Sequence, residues 1–481
     1  MYKALATVFL VCIFIAKAAA QNEGSIAQLG CGTTTTPEEM KAIYNRAPLP
    51  PLRRTAGVPD SIPLTIHIVG KTDGSGYYQL ETLFRMLCRL NEKFVDAGLH
   101  FYVQWPLRYI NNSSYYEHTF TVGANMMRLN NVANTVNVYF VNDPEGTCGY
   151  YSPSGQALAI KKSCAGINST TLTHELGHYF GLPHTFFGWE DGETPLNPEK
   201  VTRGTGRNCE TAGDGFCDTD ADYLADRWSC PYTGTKLDVN GERYHPDSSL
   251  YMSYATDACM KRFSAQQISW MRGTLETGRL KNLLNSDAPT YAELGVPNML
   301  YPADTVHTNF RYLVWNNLPG AEAYHIRITR SVATTTLFET VTSDTLVALP
   351  FNMEDGESYN VKMWAMSGVN VCRNTLLNKN FVFTNNNTDI TLQDFATAAP
   401  GIKIYPNPAN TEVNVFIDFV PDGNYQLVIT DIRGKKVYQQ SIAHKNNTAT
   451  LINTRALPNG LYFIQVIGGG MHVKQKLLVV H

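Results

Sequence analysis

The spacing of apolar residues changes period along this chain, and each change marks an element. Ser61 to Val69 is a short, largely aliphatic run, which predicts a strand. From 79 to 97, Leu83, Phe84, Leu87, Leu90, Phe94 and Val95 recur at helical intervals. Leu99 to Gln104, Thr135 to Val141 and Ala157 to Ile160 read as further strands. Phe263, Gln267, Trp270, Met271 and Leu275 predict a second helix between Phe263 and Leu280. Strands interleaved with helices over 55–285 predict an α/β (α+β) domain with a cleft along the edge strand of its sheet. The pattern then shortens. Tyr312 to Trp315, Tyr324 to Ile328 and Tyr359 to Ala365 alternate between turns such as Leu318-Pro319-Gly320, so 287–384 predicts a β-sandwich. Residues 385–401 form a polar linker. Over 402–481 alternation returns at Val413, Val415 and Ile417 and at Leu427 and Ile429. The expected architecture is an α/β domain followed by two all-β sandwich modules.

The N-terminus changes this picture. Lys3, the apolar run from Ala4 to Ala16 and Ala18-Ala19-Ala20 read as a secretory signal peptide over 1–20. The run is shorter than the roughly 20 residues that a membrane span needs, and no later segment is long and apolar enough, so no span is expected in the mature form. Residues 21–54 are polar and turn-rich and end at Arg53-Arg54. They read as a pro-segment cut near the basic pair, or as a plain N-terminal arm. Export favours disulfides among the cysteines. Ten are present, and nine remain once Cys12 leaves with the signal, so at least one is unpaired or specially used. Cys148 and Cys164 flank the last strand and could pair. A formal net charge of −3 gives no basic footprint for nucleic acid.

The chemistry concentrates in His174-Glu175-Leu176-Gly177-His178-Tyr179-Phe180-Gly181-Leu182-Pro183-His184. Residues four apart share a helix face, so His174 and His178 can reach one atom. Glu175 lies about 100° round the helix, beside a metal without ligating it. Gly181 can turn the chain and Pro183 forbids more helix, which returns His184 as a third ligand. Three neutral imidazoles with an open fourth position are the layout of a catalytic Zn²⁺ site. With 12 His and 36 Gly in 481 residues, chance predicts about 5 such motifs in 100,000 chains. His67, in an apolar strand, reads as a core histidine. Between Gly213 and Asp222, the carboxylates Asp214, Asp218 and Asp220 suit Ca²⁺ or a solvated acidic turn, and the spacing is not that of an EF-hand.

The zinc stretch with Tyr251-Met252-Ser253-Tyr254 downstream resembles the metzincin metallopeptidases. Within them, 55–285 is similar to the pappalysins, through Thr185-Phe186, the block from Gly213 to Thr219, and Asp257 to Met271. Asp220 departs from the pattern, because bacterial relatives commonly carry proline there. The resemblance implies a zinc helix and Met-turn, with Met252 beneath the metal and Tyr254 donating to the oxyanion. It also implies the disulfides Cys209–Cys230 and Cys217–Cys259, although four cysteines by themselves allow three connectivities. Residues 287–384 resemble a fibronectin type III module. Residues 402–481 resemble the type IX secretion sorting domain of Bacteroidetes, through Tyr405-Pro406-Asn407-Pro408, Asp431-Ile432-Arg433-Gly434-Lys435 and Gly460-Leu461-Tyr462. A carbohydrate- or matrix-binding β-domain is the alternative there.

The implied activity is that of a secreted, extracellular or cell-surface zinc endopeptidase. It would hydrolyse extracellular proteins or peptides with a metal-activated water, with Glu175 as general base and then acid. The type IX secretion machinery would be its export partner. Two rivals stand beside this. A thermolysin-type enzyme would recruit Glu190 or Glu193 as third ligand. A non-catalytic adhesin would keep zinc for structure only. Cys31, in the pro-segment, is either a thiolate that caps zinc before processing or a disulfide partner of Cys88 or Cys372. Thr55 to Asp60 looks like the switch segment of matrix metalloproteases, but Ala56 stands where the cysteine would be.

Overall fold

The structure is a computed structural model, described for residues 29–46, 59–276, 278–284, 293–302, 305–307, 312–333, 335–372, 376–384, 401–418, 423–444, 450–468 and 471–481. The expected signal peptide, the Arg53-Arg54 pair and most of the 385–401 linker lie outside these residues. Its first part is built from β1 (Leu29–Cys31), α1 (Pro37–Tyr44), β2 (Asp60–Gly70), α2 (Leu80–Lys93), β3 (Leu99–Val103), β4 (Arg108–Asn111), α3 (Phe120–Asn130), β5 (Val136–Val141), β6 (Thr147–Ser152), β7 (Ala157–Lys161), α4 (Thr171–Tyr179) and α5 (Ala265–Glu276), with shorter turns between.

From Ile62 onward β2 is buried residue after residue, which is the signature of a strand covered on both faces. It pairs in parallel with β3, β4 and β5. Beyond β5 lies β7, also parallel, and then β6, which runs antiparallel to β7. Ile62, Leu64, Ile66 and Ile68 face a large core shared with α2, α4 and α5. Val69, Tyr139 and Val141 face the other way, onto Met126 and Met127 of α3. His67 is buried in that sheet, stacked on Tyr139 at 4.0 Å and bonded to Asn137.

Three features differ from the sequence expectation. Helix α2 stops at Lys93, and Val95 stands 70% exposed. Strand β6 and helix α3 were not anticipated, because their glycines, asparagines and threonines blur any period. The supposedly irregular pro-segment holds both β1 and α1. Thr36 caps α1, and its hydroxyl and backbone close a capping box with Glu39, with Pro37 in the first turn. Strand β1 then lies parallel to β6, on the outer edge of the sheet.

The all-β regions follow. A three-stranded and a five-stranded sheet between 299 and 384 share one apolar core containing Trp315, Tyr324 and Phe381. Sheets of three and four strands between 401 and 479 enclose a separate core. The first of these regions sits directly against the α/β part. The Val103 amide donates to the Gly368 carbonyl at 2.8 Å, Arg327 pairs with Glu81, and Cys88 is bonded to Cys372.

The remaining disulfides require a correction. Cys148 is joined to Cys164, but Cys209 pairs with Cys217 and Cys230 with Cys259, not 209 with 230 and 217 with 259. The reason is local. Gly213 and Gly215, at φ +57° and +81°, fold the chain back so that the Cα atoms of Cys209 and Cys217 are 5.2 Å apart. A backbone bridge between Trp228 and Ala255 brings Cys230 to Cys259.

Candidate metal centre

Helix α4 presents His174 and His178 on one face, and both are buried. The chain leaves the helix at Gly181, whose φ of +87° few side-chain-bearing residues adopt. Its amide donates to the His178 carbonyl, and that of Leu182 to Gly177. The turn delivers His184. The Nε2 atom of His178 then lies 3.1 Å from that of His174 and 3.1 Å from that of His184. Tetrahedral zinc with 2.0–2.1 Å bonds would hold such atoms about 3.3 Å apart.

The other ring nitrogens are already engaged. His174 Nδ1 meets the Tyr251 carbonyl at 2.6 Å and His178 Nδ1 the Leu182 carbonyl at 2.7 Å. A carbonyl can only accept, so each Nδ1 carries the proton and each Nε2 keeps its lone pair for a metal. Burial, reinforced by His184, lowers the His174 pKa to about 3, so the ring stays neutral. Glu190 Oε1 sits 3.5 Å from the Nδ1 of His184, on the side of the ring away from the shared point. Glu190 and Glu193 are absent from the metal-competent group, which among the described residues is Cys31, His174, His178 and His184, with ligand atoms all within 4.8 Å.

Glu175 is fully buried, and its Oε1 has no hydrogen-bond partner. Desolvation raises its pKa to about 8. Its Oε2 accepts from the Thr33 hydroxyl at 3.0 Å and the Cys31 thiol at 3.4 Å. Thr33 in turn accepts from the Tyr151 amide at 2.8 Å. Sequence reasoning missed Thr33, because its partner is 142 residues away. Cys31 is unpaired, and burial, followed by the Glu175 charge, raises its thiol pKa.

Met252 is fully buried against Gly177 of α4, where a Cβ would lie 2.3 Å from its sulfur. Tyr254 stands beside the histidines, its ring 5.1 Å from that of His184. Its hydroxyl accepts from the Cys31 amide at 3.1 Å and donates to the Cys31 carbonyl at 3.2 Å. Burial, then the Cys31 thiol, raises its pKa. Asp222, also missed, ties this turn to the one after His184: it accepts from Thr185 at 2.7 Å and Ser253 at 3.5 Å. Beside His174 and Glu175 opens a cavity of about 1000 Å³ whose wall includes Arg227, Asp257 and Met260.

The expected calcium ligands do not come together. Asp218 accepts from the Ser264 hydroxyl and the Gln266 amide at the start of α5. Asp220 is exposed. Asp214 is buried instead beside Glu199, whose Oε2 packs against Gly213, and Asp214 Oδ2 and Glu199 Oε2 have no hydrogen-bond partner. Burial, followed by the Asp214 charge, raises the Glu199 pKa, and burial takes Asp214 to about 7.

Comparison with known proteins adds the following. Residues 152–276 match the family model described as pregnancy-associated plasma protein-A, and 403–480 match the secretion system C-terminal sorting domain. Extracellular metalloprotease 1 of Coccidioides posadasii is 27% identical over 273 residues, which is 52% of this chain and 89% of the relative. The extracellular metalloprotease of Colletotrichum graminicola is 28% identical over 227 residues, 43% of this chain and 73% of the relative. Among solved structures, mirolysin in complex with compound 9 aligns at 17% identity and a TM-score of 0.35, over 47% of this chain and 97% of that one.

Proposed function

We propose that this chain, a pappalysin-family metalloendopeptidase with a secretion sorting domain, cleaves extracellular proteins at a zinc site formed by His174, His178 and His184. The observation that carries this is the meeting of three imidazole Nε2 atoms beside a buried carboxylate with one oxygen unused. Zinc, when bound, polarises a carbonyl and lowers the pKa of water. Glu175 takes the proton of the attacking water and returns it to the leaving amine. Its burial keeps its proton affinity high enough to hold that proton between the two steps. Tyr254 donates its phenol proton to the developing oxyanion once the Cys31 backbone no longer occupies it. Met252 supports α4 from beneath. The boundaries that go with this reading are a signal peptide over 1–20, a pro-segment over 21–54, a metzincin catalytic domain over 55–285, a fibronectin type III-like module over 287–384 and a type IX sorting domain over 402–481.

In the unprocessed chain, Cys31 serves as the fourth zinc ligand, its thiolate favoured by the cation. Cobalt(II)-substituted chain should show a sulfur-to-metal charge-transfer band that Cys31→Ala lacks. The same band in both would remove the ligand role. Calcium enters the reading only at Asp214, with Glu199 in place of Asp218 and Asp220.

A casein digestion with processed chain, with and without a zinc chelator, tests the activity. Hydrolysis should stop in chelator and return with Zn²⁺. An adhesin with a structural zinc would leave casein intact throughout, and that result would overturn the proposal.

A further inference from the structure

Residues 29–46 meet the rest of the protein at two separate places. The first is the cleft, where β1 lies along β6, the Gly32 amide donates to the Gly149 carbonyl at 2.8 Å, and Cys31 and Thr33 reach Glu175. The second is a seat for α1, whose hydrogen bonds to the body avoid the histidines. Met40 and Ile43 are 2% and 1% exposed and belong to the main core. The Tyr44 hydroxyl donates to the Gly213 carbonyl at 2.8 Å. Arg46 donates to the Gly215 carbonyl at 2.7 Å and to the Ile43 carbonyl at 2.8 Å, while its guanidinium lies 4.7 Å from the centre of the Phe216 ring. Gly215 is close-packed under this helix: a Cβ there would lie 2.7 Å from Ile43. The hydrogen bonds of this seat to the body of the protein all fall on the turn between Cys209 and Cys217, and none is made to a metal-site histidine.

We propose that this seat is an independent anchor. Residues 29–46 then stay bound after the chain is cut downstream of Arg46, and act as a non-covalent inhibitor until they are themselves digested. The cut adds one water across a peptide bond and leaves every contact named above intact. Two apolar side chains in the core, a cation over an aromatic ring and two side-chain hydrogen bonds, from Tyr44 and from Arg46, remain to be broken at this seat before the segment can leave. Loss of the Cys31 thiol would loosen the cleft end only. The inhibitory consequence rests on the peptidase reading above, but the retention does not.

The test uses the full chain carrying Glu175→Ala, so that the fragment is not consumed, with a site-specific protease sequence placed between Ala47 and Arg54. After cutting, gel filtration and mass spectrometry follow the N-terminal fragment. It should co-elute with the body of the protein. Cys31→Ala should change its release rate less than threefold, whereas Tyr44→Phe with Arg46→Ala should speed release at least tenfold. Arg46→Lys, which keeps the charge and loses the guanidinium's paired donation to Gly215 and Ile43, should fall between and serves as the reporter if the double variant does not fold. A fragment lost from the otherwise unaltered chain on the first column would overturn the anchor. So would release governed by Cys31 and indifferent to Arg46. Retention is read by mass, so residual casein hydrolysis by Glu175→Ala would sink the peptidase mechanism while leaving the anchor standing.

Discussion

Two regions of this protein concentrate metal-binding side chains in sequence, and only one concentrates them in space. From His174 to His184 a helical turn and one positive-φ glycine bring three nitrogens to a point. From Gly213 to Asp222 the carboxylates are as dense in the chain, yet they disperse. Asp214 Oδ1 holds the Phe216 amide and the Thr219 hydroxyl. Asp218 caps α5. Asp222 holds the Leu224 amide and Thr185. Turns leave many backbone donors unpaired, and short acidic side chains satisfy them. A metal needs lone pairs that nothing else has claimed. In the first region these are the three Nε2 atoms, and in the second there is only Asp214 Oδ2, joined from outside the region by Glu199 Oε2.

The largest effects should therefore fall in the first region. His178→Ala should lower both zinc content and casein hydrolysis to background, because its Nε2 is the one near both others. Glu175→Ala should keep zinc, measured by atomic absorption, and lose roughly 100- to 10,000-fold in kcat/KM. An active Glu175→Ala enzyme would reduce the first region to a structural site and erase the contrast.

How much of this could be read in the chain depends on distance along it. The histidines and Glu175 lie within eleven residues, and helix geometry plus one glycine turn relates them. The central strand was legible because burial on both faces leaves a largely apolar run, broken only by Thr65 and His67 between Ile62 and Gly70. Thr33 and Arg46 were not legible, since they act on partners 142 and 169 residues away. Helix α1 does leave a local signal in Thr36-Pro37-Glu38-Glu39, a capping box within the polar, turn-rich stretch read as a pro-segment. The cysteine pairing failed for a related reason. Spacing carries no connectivity, and the fold of the Gly213–Gly215 turn decided it.

A middle-sized effect should come from the second region, and it fixes a sign. Folded Asp214 titrates near 7, against 3.8 for an exposed aspartate. Between those values the native state holds a proton that the unfolded chain has released. Its contribution to stability is thus complete below about pH 4 and is lost as pH rises through 7, by at most about 1.4 kcal/mol per pH unit. Glu199 acts in the same direction. Buried histidines such as His67, lowered to about 4, act the opposite way below 6.5, so the informative quantity is a difference. Thermal midpoints of the unaltered chain in chelator should fall faster than those of Asp214→Asn between pH 5 and 8. Calcium added at pH 8 should restore the former and leave the latter unmoved. Equal slopes would show that this region carries no buried charge worth neutralising.

The smallest effect tests how the first region is held up. On helix propensity alone, Gly177→Ala should stabilise α4 by about 1 kcal/mol. Packing argues the reverse. The new methyl would lie 2.3 Å from the Met252 sulfur, 3.2 Å from its terminal methyl and 3.3 Å from Phe263. Methionine is adaptable, but this one is fully buried, and Phe263 is nearly so. Overpacking of this kind costs about 1–3 kcal/mol. The net expectation is a loss of roughly 0–2 kcal/mol, seen as a lower thermal midpoint. Activity should fall with it, because the helix that carries His174 and His178 must move off Met252. Adding Met252→Ala to Gly177→Ala should then recover part of the midpoint, since the methyl would gain room. If Gly177→Ala proves stabilising by itself, Met252 is not the support beneath the histidines, and the turn at Gly181 must hold them in place without it.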